Sequence, residues 1–69
     1  MGQYVKIKII VDGAVFYFSH LAKDGTVYME QKKQKAIAVL RTECQDLFPV
    51  IREFFEQHEK NIELEIVRA

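Results

Sequence analysis

The 69-residue sequence has no tryptophan, one cysteine, one proline and three glycines. Each scarcity excludes something. One cysteine, Cys44, cannot form an intrachain disulfide. One Cys with two widely spaced His does not make a structural zinc site. The glycines are Gly2, Gly13 and Gly25, used by the terminus and two turns, so none is left for a phosphate-cradling loop. No run approaches the ~18 apolar residues that span a bilayer. No basic-then-apolar leader with a small-residue cleavage site is present. With a lone cysteine, this pattern leads us to expect a cytoplasmic protein and no membrane partner. Lys and Arg total 10 and Asp and Glu total 10, so the chain lacks the net positive field that drives phosphate binding.

What is present is apolar. The hydrophobic share of 49% is enough for a core and excludes disorder. A chain this short buries only about 60% of the surface it exposes when unfolded. Small domains add disulfides, metals or oligomerisation, and only the last remains open here. Self-association, in the simplest case a homodimer, is therefore expected.

Two Asp-Gly dipeptides, Asp12-Gly13 and Asp24-Gly25, separate runs of strand-forming residues. Asp-Gly favours the two-residue type I′ turn, which needs positive φ at both central positions. Two such turns define a three-stranded antiparallel meander. Side chains alternate between faces. One face then carries Val5, Ile7, Ile9, Val11, Ala14, Phe16, Phe18, His20, Ala22, Val27 and Met29. The other carries all three tyrosines, with Lys6, Lys8, Ile10, Val15, Ser19, Leu21, Lys23 and Glu30. In this register Ala22 opposes Val27 and His20 opposes Met29.

Residues 31–60 are rich in helix formers. Ile37, Leu40, Cys44, Leu47, Ile51, Phe54 and His58 recur at helical spacing. One reading is a long helix through residues 31–60. The other starts the helix at a Thr42–Gln45 capping box, with residues 36–40 as a further strand. Pro49 kinks the helix or splits it into a pair. Asn61 is the expected helix stop. Ile62, Leu64 and Ile66 alternate with Glu63, Glu65 and Val67, which reads as a fourth strand. Its glutamates suit Lys6 and Lys8 and conflict with Glu30. The fourth strand therefore belongs beside the first, in the order 4-1-2-3. If one helix carries the chain back along the sheet, those two strands run parallel. The expected fold is one α+β domain spanning residues 1–69.

No chemistry stands out. Cys44 and His58 lie about 21 Å apart along one helix, too far for a nucleophile and its base. Asp12 and Asp24 occupy turns at opposite ends of the second strand. Glu53, Glu56 and Glu59 read as a solvated helix face. No catalytic residue, metal ligand or cofactor is assigned. The distinctive surface is the sheet face bearing Tyr4, Lys6, Lys8, Tyr17, Lys23 and Tyr28, which we take as partner-binding. The expected function is a non-catalytic protein-interaction or regulatory module that self-associates. Such a module is in keeping with a small phage or mobile-element protein. The alternative is nucleic-acid binding, with tyrosines stacking bases and lysines, including Lys32, Lys33 and Lys35, holding phosphates.

Overall fold

Asp12 and Gly13 both hold positive φ, 50° and 86°, as a type I′ turn requires. The computed structural model describes residues 3–69. The turn joins β1 (Tyr4–Val11) to β2 (Ala14–Leu21). The register is the expected one: Val11 opposes Ala14, Ile9 opposes Phe16 and Lys8 opposes Tyr17.

The second turn differs from the expectation. Ala22 donates its N–H to the Thr26 carbonyl at 2.9 Å, and Gly25 donates to the Ala22 carbonyl at 3.0 Å. Gly25 has φ of 90°. This is a three-residue loop over residues 23–25 with glycine in the left-handed position. It pairs Leu21, not Ala22, with Val27 of β3 (Val27–Glu30). The odd loop length alone would put β3 out of phase with β2. A bulge between Phe18 and His20 absorbs the extra residue. Beyond it Phe18 opposes Met29 and Tyr17 opposes Glu30. The bulge thus keeps Phe18, Val27 and Met29 on the core face. It also turns His20 out of that face. His20 opposes Tyr28 and stacks on its ring, with centroids 4.6 Å apart and planes within 10°.

After β3 the long-helix reading fails over residues 31–43. The chain makes a 3-10 turn at Lys33–Lys35, a short strand β4 (Val39–Leu40) and a second 3-10 turn at Arg41–Glu43. Val5 pairs with Val39 on one side and with Arg68 on the other. β4 therefore occupies the stretch of β1 edge that β2 leaves beyond the Lys8–Tyr17 pair. To reach it from β3, residues 31–38 must cross β2. They cross on the tyrosine side, where Lys6 Nζ donates to the Lys33 carbonyl at 2.7 Å.

One helix follows, α1 (Cys44–Gln57). The 3-10 turn that leads into it is capped by Glu43, whose carboxylate accepts the Leu40 N–H at 3.2 Å, and α1 itself lacks the expected Thr42–Gln45 box. Pro49 lies inside α1 and does not split it into a pair. Proline there leaves the Gln45 carbonyl without its helical donor, and both residues are exposed, so water can take the donor's place. The helix ends before the expected Asn61. Glu59 adopts φ of 56°, Lys60 N–H donates to the Phe55 carbonyl and Glu59 N–H to the Glu56 carbonyl. This is a Schellman cap carried by a residue other than glycine. Left-handed backbone costs an L-residue about 1–2 kcal/mol. Glu59→Gly should therefore raise the urea stability by about 1 kcal/mol, and a loss of stability would contradict this reading.

β5 (Ile62–Arg68) lies beside β1, as its charges require. Glu65 opposes Lys8 and Glu63 opposes Ile10. The strands run antiparallel, which corrects the parallel arrangement. The cause is the return through residues 31–40. It brings the chain back to the start of β1, where Arg41 N–H donates to the Gln3 carbonyl at 2.6 Å. α1 then runs in the direction of β1, and β5 comes back against it. β2 and β4 share one side of β1, end to end, and β5 lies on the other, so the sheet runs β3-β2-β1-β5 across its middle. Val5, Ile7 and Ile9 pack with Phe18, Val27, Val39, Cys44, Ile51 and Phe55 as the core between this sheet and α1.

Candidate docking face

The six residues of the expected binding face are not equivalent. Tyr4, Tyr28 and Lys23 are exposed, whereas Lys6, Lys8 and Tyr17 are half-buried. The crossing segment explains part of the difference, since Lys6 is bonded to the Lys33 carbonyl on this face. Lys23 sits in the loop rather than on a strand. The open apolar surface is carried by Tyr4 at 58% exposure, Ile37 at 50%, Tyr28 at 47% and Val15 at 43%. Tyr4, Val15 and Tyr28 share one sheet face by register, and Ile37 lies on the segment that crosses it.

His20 joins this face through its stack on Tyr28. Its Nδ1 also lies 3.3 Å from Ser19 Oγ. Sequence alternation places His20 on the core face instead. The signal for the bulge is the pair Phe18 and Leu21, both apolar and three residues apart, which breaks period 2 around a histidine. Ile37 was concealed differently, because it extended the apolar stripe of a helix that does not reach it.

Two recesses mark the surface, the first of them on the helix side of the sheet. One, of about 300 Å³, lies between the β2–β3 loop and α1 and is lined by Asp24, Thr26, Val50, Phe54 and His58, among others. Two of its titratable groups are engaged. Asp24 Oδ1 accepts the Thr26 N–H at 3.0 Å, and this bond holds its carboxyl below the ordinary value. His58 Nδ1 lies 2.8 Å from the Phe54 carbonyl, so that nitrogen carries the proton. The other recess, of about 360 Å³, lies at the far end of β1 beside Asp12 and Glu63. There Asp12 pairs with Lys60 at 3.5 Å. Among the described residues, no three His, Cys, Asp or Glu side chains gather as metal ligands.

Cys44 is 2% exposed and its thiol lies 3.9 Å from the Leu40 carbonyl. Burial pushes the thiol pKa up, with Arg41 opposing that shift and Glu43 adding to it. A raised acid pKa stabilises the fold below the unfolded thiol value, and that contribution is lost as pH rises through the folded value. Cys44 should react with a thiol reagent only as fast as the protein opens, and rapid labelling of the native state would restore a reactive cysteine.

No family model, curated protein or solved structure matches the chain. Among the described residues, no helix is long and apolar enough to cross a membrane.

Proposed function

We propose that the chain is a small non-catalytic interaction module of the cytoplasm, which self-associates and docks a protein partner through the tyrosine face. The observation that carries this is the exposure of Tyr4, Val15, Tyr28 and Ile37 outside a core that closes without them. Tyrosine is enriched in interface cores because it brings apolar area with a polar tip. The charges of the face favour a protein over a nucleic acid. Glu30, Glu63 and Glu65 lie among its lysines, and the Lys6 ammonium is held by a backbone carbonyl.

The test is nuclease-treated capture from source cells, comparing wild type with Tyr28→Ala. A protein retained by wild type and lost from the variant is the expected result. A second arm titrates single-stranded and duplex nucleic acid at low salt. Salt-sensitive binding weakened by Lys8→Glu would overturn the protein reading in favour of nucleic acid.

A further inference from the structure

Among the described residues no strand pairs with the outer edge of β5, and the hydrogen-bond phase shows which groups line it. Asp12 N–H donates to the Asn61 carbonyl at 3.1 Å. Bonded and non-bonded pairs alternate along an antiparallel ladder. The bonded pairs after Asp12–Asn61 are therefore Ile10–Glu63, Lys8–Glu65 and Lys6–Val67. Ile62, Leu64, Ile66 and Arg68 turn their N–H and C=O groups away from β1. The opposite side of β1 agrees in phase, because Gln3 accepts from Arg41 and Val11 pairs with Ala14 across the two-residue turn.

The protection this edge carries is charge alone, from Glu63, Glu65 and Arg68. β5 pairs continuously over Ile62–Arg68, without proline, lysine or bulge. Seven paired residues make an edge about 23 Å long. Ile66 lies on the core face of the sheet yet remains 39% exposed.

We infer that two copies of the chain pair through their β5 edges, antiparallel about a two-fold axis at Ile66. The inference rests on the self-association proposed above and names its surface. Charge selects the register. An axis at Glu65 sets that carboxylate against its own copy, and an axis at Leu64 sets Glu63 against Glu65 twice. Like charges directly opposite one another disfavour pairing. An axis at Ile66 opposes Glu65 to Val67, Leu64 to Arg68 and Ile66 to itself. No like charges then stand opposite. The outward groups of Leu64, Ile66 and Arg68 meet in hydrogen-bonding phase, and the exposed Ile66 is covered by its twin. The tyrosine face stays free for a partner.

Cysteine crosslinking of the full chain tests the axis. Across a bonded pair the Cα atoms lie about 5.5 Å apart, inside the roughly 4.4–6.8 Å reach of a disulfide. Ile66→Cys should therefore crosslink between copies under oxidised glutathione. Leu64→Cys is the control, because its two copies are offset by about 13 Å along the strand. The expected result is crosslinking roughly tenfold faster for Ile66→Cys than for Leu64→Cys. Sedimentation supplies the second readout: wild type dimeric, Ile66→Lys monomeric with an unchanged circular dichroism spectrum. Equal crosslinking rates would overturn the Ile66 axis. A dimer that survives Ile66→Lys would overturn the β5 interface while leaving self-association standing. A wild type that stays monomeric at high concentration would overturn self-association itself, and this interface with it.

Discussion

Ile9→Ala should destabilise the protein by about 2–5 kcal/mol, as truncation of a fully buried aliphatic side chain does. Ile9 is 0% exposed and sits in the middle of β1, with Phe16 opposite on β2 and Leu64 opposite on β5. Its neighbours cannot easily collapse into the space, because β1 is fixed by ladders on both sides. Typical stability for a chain of this size is about 3–10 kcal/mol. With a stability at the low end of that range the variant is partly or wholly unfolded at room temperature. Urea denaturation followed by circular dichroism measures this. A loss below about 1 kcal/mol would mean that the core does not centre on β1.

Pro49→Ala should act in the opposite direction, raising stability by about 1–3 kcal/mol. Pro49 is the sixth residue of α1, so its missing N–H removes a bond that an interior residue would make to Gln45. It faces solvent, so no packing is lost with the ring. For a domain this small, each kcal/mol moves the thermal midpoint by about 4–8 °C. A falling midpoint would show that proline at this position is needed to seat Ile51 and Phe55 on the sheet.

The parts of the fold legible in the sequence are those where local chemistry leaves one solution. Asp12-Gly13 is a two-residue turn, and it sets the β1–β2 register without further information. The alternation of Glu63 and Glu65 against Lys6 and Lys8 places β5 beside β1. Asp24-Gly25 carries the same dipeptide but closes a three-residue loop, because Asp24 bonds back to the Thr26 N–H and leaves only Gly25 with positive φ. The turn dipeptide alone does not distinguish these loops. The bulge after Phe18 follows from that odd length, and it decides that His20 faces Tyr28 rather than the core.

Residues 31–40 were legible only as alternatives. Their composition favours helix, yet no Ser, Thr, Asp or Asn is available to cap one. The tertiary frame decides instead: β2 leaves the lower edge of β1 unpaired, and Val39–Leu40 takes it. That choice determines the direction of β5 and covers part of the face the sequence offered for binding. Of the six residues proposed there, Tyr4, Lys23 and Tyr28 remain exposed.

We propose that the exposed apolar set serves binding and not folding. The direct test is one variant combining Tyr4→Thr, Val15→Thr, Tyr28→Thr and Ile37→Ser, with threonine chosen to preserve strand propensity. Its urea stability and its capture of the wild-type partner are measured together. We predict a stability within about 1 kcal/mol of wild type, as exposed substitutions allow, and complete loss of the partner. An unfolded variant, or a stable one that still holds the partner, would contradict the claim.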